Sequence, residues 1–262
     1  MNRAERMTAV LDLLAESGHL EVDDIITKLN VSAATARRDL DTLASQQLLT
    51  RTRGGATGQV VAYDLPVRYK RELHAPEKQK IAMAASALTQ RGDVIGLCGG
   101  TTSTAIASIL AARADIMEAG PHANLTVVTN AINIAVQLAM RPQIKTVVTG
   151  GVVHSRSYEL VGPYSADVLN QVTLDVAFIG VNGIDPLMGA TVIDEREAAV
   201  NSLMARRARK AVIVADSSKI GKTAFATIGD LNLFSVLITD SGITADQLSA
   251  FAEAGLDVIV AE

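Results

Sequence analysis

Apolar residues recur at helical spacing three times within the first forty-five positions. Met7, Val10, Leu11 and Leu14 form one stripe, and Gly18 follows to stop it. Leu20-Glu21-Val22 is long enough only for a strand stub. Val22, Ile25, Ile26 and Leu29 form a second stripe, on a helix expected to begin near Asp23-Asp24, where negative charge suits the helix dipole. Ala36, Leu40 and Leu43 form a third, opened by Ser32, whose hydroxyl can cap a free N–H of the first turn. Only Asn30-Val31 separates the second helix from the third, which predicts a helix-turn-helix. Thr50-Arg51-Thr52-Arg53 then alternates and closes on Gly54-Gly55-Ala56. This predicts a two-stranded wing, with glycine supplying positive φ and Arg51 and Arg53 on one side of a strand.

From position 80 the pattern changes. Runs that are apolar throughout, at 94–98, 125–128, 146–148, 176–179, 211–214, 236–238 and 258–260, predict strands buried on both faces. Alanine-rich stretches at 81–88, 104–112, 131–140 and 197–209 predict helices between them. The alternation predicts an α/β domain with a mainly parallel sheet. The expected division is 1–56 for a winged helix-turn-helix, 57–75 for a linker containing Pro66 and a basic run, and 76–262 for the α/β domain.

Ligands of such sheets bind outside the carboxyl ends of the strands. The residues after the runs are Gly99-Gly100-Thr101-Thr102-Ser103, Thr129-Asn130, Gly150-Gly151, 180–185, Asp216-Ser217-Ser218-Lys219 and Thr239-Asp240-Ser241. The first of these leads into a helix. Its glycines let backbone N–H groups approach an anion, while the helix dipole and the hydroxyls complete a phosphate cradle. It lacks the Gly-Lys-Ser/Thr ending of a P-loop and the spacing of a dinucleotide fingerprint. Loops converging on one sheet edge predict a small polyhydroxy or phosphorylated ligand.

Composition narrows the choice. Net charge is −4, so any DNA-binding charge is local. Residues 1–55 hold seven Lys/Arg against eight Asp/Glu, yet four of the seven are Arg37, Arg38, Arg51 and Arg53. Aromatics make up 3%, which argues against a stacking platform for single strands. Cys98 is the single cysteine, expected to be a small buried residue, and the four histidines show no metal-ligand spacing. No metal or cofactor is expected. No apolar run approaches a membrane span and the N-terminus has no signal-peptide pattern, so a cytoplasmic protein without membrane partners is expected. The outward face of the third helix opens with small and hydroxyl residues, then presents two arginines. The expected DNA contacts are Ser32, Ala34, Thr35, Arg37 and Arg38, with Arg51, Arg53 and Gly54 of the wing on phosphate or minor groove.

Val31-Ser32, Thr35, Arg37-Arg38-Asp39-Leu40, Arg51 and Gly54-Gly55-Ala56 resemble the recognition helix and wing of the DeoR family of bacterial sugar-metabolism regulators. Ala36 stands where that family more often has isoleucine. The resemblance continues through Arg71, Glu77-Lys78 and Ile81-Ala82, then through the 99–102 loop, Thr129-Asn130, Gly150-Gly151, Gly162, Asp175, 177–180, Gly183, Glu197, Asp216 and Lys219. It implies an effector domain similar in fold to ribose-5-phosphate isomerase and CoA-transferase-like proteins. By that similarity Gly99, Gly100, Thr101 and Thr102 hold the sugar phosphate, and Asn130, Asn182, Asp194, Glu197 and Lys219 line the sugar pocket, beside Thr129, Gly150 and Gly151. Gly99 replaces the family's usual serine and removes one hydroxyl. Asn182 and Gly183 stand where the isomerases have acidic residues, and Asn201 where the family often has lysine. These departures deplete the groups that would support Glu197 as a base, which favours binding without turnover.

The resulting expectation is a sequence-specific DNA-binding repressor of a bacterial carbohydrate or polyol pathway. Its partners would be operator DNA and a phosphorylated sugar or polyol, and its state a homodimer or homotetramer. The alternative is a sugar-phosphate isomerase carrying a DNA-binding module.

Overall fold

The computed structural model describes residues 3–45, 48–57 and 74–262. The chain divides into two compact units, Met1–Leu73 and His74–Glu262. The expected linker lies almost wholly outside the described residues, and Pro66, Arg71 and the basic run at 67–72 with it.

The first unit packs three helices, α1 (Arg3–Ser17), α2 (Val22–Leu29) and α3 (Ala33–Ser45), beside three short strands, β1 (His19–Glu21), β2 (Thr50–Arg51) and β3 (Gly55–Thr57). Its core is the union of the three stripes: Val10, Leu11, Leu14, Ile25, Ala36, Leu40 and Leu43 are all at most 3% exposed. Asn30 takes a left-handed conformation (φ 52°) after α2, which makes the short turn into α3 possible. The wing forms as an antiparallel pair, β2 with β3, and β1 adds to the far edge of β3, giving the order β1-β3-β2. One expectation needs correcting: Arg51 and Arg53 do not share a strand face, because β2 ends at Arg51 and Arg53 lies in the turn.

The second unit begins with α4 (Ala75–Ala87). The chain continues through β4 (Val94–Leu97), α5 (Thr101–Leu110), α6 (Ala114–Met117), β5 (Leu125–Thr129), α7 (Ile132–Ala139) and β6 (Ile144–Val148). A hairpin of β7 (Val152–His154) and β8 (Glu159–Val161) leads to α8 (Pro163–Leu169) and β9 (Leu174–Gly180). Next come β10 (Gly183–Asp185), β11 (Gly189–Val192), α9 (Glu195–Arg206), β12 (Ala208–Val214), β13 (Ala226–Gly229), β14 (Val236–Asp240), α10 (Ala245–Glu253) and β15 (Asp257–Ala261). All seven predicted apolar runs fall in one sheet, ordered β15-β14-β12-β9-β4-β5-β6, and every neighbouring pair in it is parallel.

The central strands β4, β5, β9, β12 and β14 are buried on both faces because each feeds two cores, while the edge strands β6 and β15 are partly exposed. In β9, Ala177 and Ile179 face one side with Met204 and Phe251, while Val176 and Phe178 face the other with Ile81, Ile106 and Ile134. The chain builds β4, β5 and β6 outward in one direction, then restarts at β9 on the far side of β4 and proceeds the other way. Strand order therefore reverses between β4 and β9, and the crevice beyond their carboxyl ends is where such sheets bind ligands. The antiparallel sheet β10-β11-β13 and the β7–β8 hairpin are additions that the apolar pattern did not predict.

Candidate functional site

In the first unit the cap on α3 forms as its sequence suggests: Ser32 Oγ accepts from the Thr35 N–H at 3.2 Å and lies 2.9 Å from the Thr35 hydroxyl. Ala34, Arg37 and Arg38 are exposed along the helix, and Thr35 is half-buried. Asp39 turns the other way. It is 3% exposed and takes both Arg6 Nε and Arg6 Nη2, the latter at 3.2 Å, tying α1 to the inner face of α3. Arg51 is committed within the fold: Nε donates to Asp41 Oδ1 at 3.0 Å and Nη1 to the Gly55 carbonyl at 2.6 Å. It thereby pins the wing to α3. Arg53 and Gly54 are exposed in the turn.

In the second unit the 99–102 loop follows β4 and opens α5. Gly100 has φ 104°, which a side chain would resist, and both the Thr104 N–H (3.1 Å) and its hydroxyl (2.7 Å) donate to the Gly100 carbonyl. Beside it, at the end of β9, the Gly180 N–H donates to Cys98 Sγ at 3.0 Å. Cys98 is fully buried, and that burial pushes its thiol up to about 12.

Glu159, at the start of β8, enters this crevice. It is 4% exposed, and its carboxyl accepts from Asn130 Nδ2 at 2.9 Å and lies against the backbone of Gly99. A Cβ on Gly99 would overlap Glu159 Cγ and Oε1 and lie 2.6 Å from its Cδ, so glycine at 99 leaves the space that the glutamate fills. Burial, followed by the charge of Glu197, pushes the Glu159 carboxyl up to about 8. Glu197, in the first turn of α9, lies 2.6 Å from His154 Nδ1 on β7. Asp194 caps α9, accepting from the Arg196 N–H at 2.9 Å, and sits 3.8 Å from His154 Nε2. Its paired hydrogen bonds from the Arg196 guanidinium hold it down at about 2.

The geometry thus brings Gly99, Asn130, Asp194 and Glu197 into one cluster. The other predicted residues hold the loops around it. The Thr129 hydroxyl donates to the Leu97 carbonyl at 2.7 Å and accepts from the Ala131 N–H at 3.0 Å, locking the ends of β4 and β5 together. Gly150 (φ 75°) and Gly151 (φ 131°) turn the chain out of β6, and the Ser165 hydroxyl closes on the Gly150 carbonyl at 2.7 Å. Asn182 Oδ1 accepts from the Ile193 N–H at 3.2 Å. Thr101 is half-buried and Thr102 buried at the start of α5. Lys219 lies on the single turn after β12, its Nζ 3.2 Å from Ser218 Oγ. That turn is laced to the end of β14. Burial opposes the Asp240 charge, but hydrogen bonds from the Ser217 and Gly242 N–H groups and the Ser217 hydroxyl outweigh it and lower the pKa.

Two family models match, the DeoR-like helix-turn-helix domain over residues 6–59 and the DeoR C terminal sensor domain over 73–241. The chain belongs to the DeoR family. It is 35% identical to the HTH-type transcriptional repressor GlcR of Bacillus subtilis over 242 residues, 92% of this chain and 89% of the relative. The putative aga operon transcriptional repressor of Escherichia coli O157:H7 is 30% identical over 260 residues, 98% of this chain and 93% of the relative. The glycerol-3-phosphate regulon repressor of Escherichia coli K12 is 27% identical, covering 92% of each chain. Among solved structures, ribose 5-phosphate isomerase A of Methanocaldococcus jannaschii aligns with a TM-score of 0.41 and 19% identity, over 56% of this chain and 55% of that one. The DeoR family is one of DNA-binding transcription regulators rather than enzymes, which removes the isomerase alternative.

Two members of the cluster in this DeoR-family chain escape a linear reading. His154 is one of four scattered histidines, and its partner Glu197 is 43 residues away. Glu159 sits between Tyr158 and the apolar pair Leu160-Val161, where an acid in a short amphipathic stretch reads as a solvent-facing residue. The missing side chain at Gly99 is the only trace it leaves in sequence.

Proposed function

We propose that this chain is a repressor of a carbohydrate or polyol pathway whose operator affinity is set by a phosphorylated sugar or polyol. The effector occupies the crevice beyond β4 and β9, its anionic end on the 99–102 loop and its hydroxyls toward Asn130, Asp194 and Glu197. The observation that carries the reading is the placement of that loop. A glycine-led helix N-terminus stands at the reversal of strand order, ringed by buried polar groups, as anion-binding crevices in parallel sheets require. The names of the relatives, which include a glycerol-3-phosphate regulon repressor and an aga operon repressor, support the pathway class. The active species is a homodimer, or a pair of dimers, reading half-sites about one helical turn apart. An effector with different affinity for the DNA-competent and incompetent states changes operator affinity by that difference; coupling of ~1–3 kcal/mol gives roughly 5–150-fold control. The test is a gel-shift titration with DNA selected by the full chain from a random library. At least one phosphorylated sugar is expected to shift the binding curve within that range. If none in a broad panel moves it, the effector reading is wrong.

On the DNA side, Arg38 reads bases from the exposed face of α3. Arg38→Ala is expected to cost about 1–3 kcal/mol on the selected sequence and to relax preference at the position read. Unchanged affinity and base preference would mean that α3 meets the groove with another face. Arg53, exposed in the wing turn, contacts phosphate, and Arg53→Ala lowers the salt slope by about one. Arg51 acts differently, because its guanidinium already holds Asp41 and the Gly55 carbonyl. Asp41→Ala and Arg51→Ala are expected to weaken binding alike, and the double variant no more than either alone. If instead Asp41→Ala tightens binding while Arg51→Ala weakens it, Arg51 is a direct phosphate contact.

A further inference from the structure

Resting on the reading of the 99–102 loop as an anion cradle, we propose that Glu159 reads the anionic end of the effector as a neutral carboxylic acid, donating a hydrogen bond to it from beside Gly99. Three observations converge on this residue. The carboxyl lies against the backbone of Gly99, the first residue of the loop, so it stands at the place where an anion would arrive. The side chain fills the volume that any residue larger than glycine at 99 would need, so the loop and the glutamate are built for each other. Asn130, fully buried, holds Glu159 with Nδ2 while its Oδ1 has no hydrogen-bond partner, leaving an acceptor for a hydroxyl of the same ligand.

Charge decides the protonation state. The groups around Glu159 are Glu197 and Asp194 from α9 and its cap, His154 from β7 against Glu197, Cys98 from the end of β4, and the neutral Asn130 from the end of β5. Among these, the groups acting electrostatically on Glu159 are two carboxylates, and the arginine beside Asp194 is spent on that residue. An ionised Glu159 would place a third negative charge, out of water, against an incoming dianion. The protonated acid removes the repulsion and supplies a donor.

The signature is proton linkage. Free Glu159 gives up its proton near pH 8. A bound dianion retains that proton, so anion binding above this pH takes one up. Affinity is then level below about pH 7.5 and falls roughly tenfold per pH unit above 8. Sulfate is the first probe, because it does not titrate in this range. Inorganic phosphate is the second, and chloride at equal ionic strength is the control. Isothermal titration of the full chain at pH 7.0 and 9.5, in two buffers of different ionisation enthalpy, reads both affinity and protons.

For wild type the expected results are about thirtyfold weaker sulfate binding at pH 9.5 than at pH 7.0, and uptake of close to one proton at the higher pH. Glu159→Gln keeps a neutral donor of the same shape, so it is expected to bind sulfate with no pH dependence and more tightly than wild type at pH 9.5. Glu159→Ala, which has no donor, is expected to bind weakly at both. Sulfate binding by wild type that is independent of pH, with no proton uptake, overturns the proposal while leaving the anion cradle standing. Glu159→Ala binding as tightly as Glu159→Gln shows that the carboxyl only occupies space, and also overturns it. If neither anion binds wild type or Glu159→Gln at either pH, the cradle reading itself fails and the proposal with it.

Discussion

Gly55→Ala is expected to destabilise the winged unit by about 3 kcal/mol and to weaken DNA binding with it. The requirement at this position is close approach of backbone rather than a special φ. A Cβ there would overlap the carbonyl oxygen of Leu20 and lie 2.8 Å from Glu21 Cα and 2.9 Å from the Leu20 carbonyl carbon, all backbone of β1. No rotamer change relieves such a clash, so the β1–β3 ladder must open where Glu21 pairs with Gly55. The loss spreads from there. The Val22 N–H, first in α2, donates to the Gly54 carbonyl at 2.8 Å, and Arg51 holds the Gly55 carbonyl from β2. One methyl group therefore loosens the start of α2 and the seat of the wing together. Native-state hydrogen exchange should show lost protection at Leu20, Val22 and Ala56, and gel shifts should show weaker binding to all sequences. Wild-type exchange at those amides would mean that the wing tolerates the larger residue and that Gly55 is replaceable.

The wing illustrates what a linear reading can and cannot reach. Gly54-Gly55 announces a turn, and the turn is there, but the partner that makes Gly55 necessary is a strand stub more than thirty residues earlier. The central strands of the parallel sheet were legible for the opposite reason. A strand buried on both faces must be apolar at every position, so runs such as 176–179 declare themselves without knowledge of their neighbours. The strands β7, β8, β10 and β13 have only three or four residues each, too few for any period to emerge. The candidate site divides along the same line. The 99–102 loop, Asn130, Asp194 and Glu197 follow strands or open a helix, so their place at the sheet edge follows from chain order. Glu159 and His154 come from the hairpin after β6. Their approach to Gly99 and Glu197 depends on how that hairpin folds back, a tertiary fact with no local signature. Gly150 and Gly151 show the converse. They lie at a strand end, as binding residues would, yet their backbone is closed by Ser165 and Val161.

Arg6→Ala is expected to cost the winged unit about 3 kcal/mol, the low end of what breaking a buried ion pair costs. The Arg6 side chain is 16% exposed and that of Asp39 4%, so removing the arginine strands a carboxylate on the inner face of α3 with no water to replace both lost donors. The pair also fixes which way the recognition helix faces. Arg37 and Arg38 point outward because their neighbour Asp39 is held inward against α1, so stability and DNA contact are set by one interaction. A unit of this size has a total stability of only ~3–8 kcal/mol, so the variant sits near the edge of folding. Its thermal transition is expected to fall by roughly 10–20 °C, measured on the full chain. Asp39→Ala should cost less, because the arginine left behind can extend its head to solvent. Arg6→Met combined with Asp39→Leu should recover most of the loss, since apolar replacements of similar volume strand no charge. The discriminating result is the comparison of stability with binding. The recovered double variant is expected to melt like wild type yet bind DNA less tightly, because packing alone does not fix the helix's rotation as a paired hydrogen bond does. Equal affinity in that variant would show that the ion pair serves stability only, and that the α3 face is set by Leu40 and Leu43 without it.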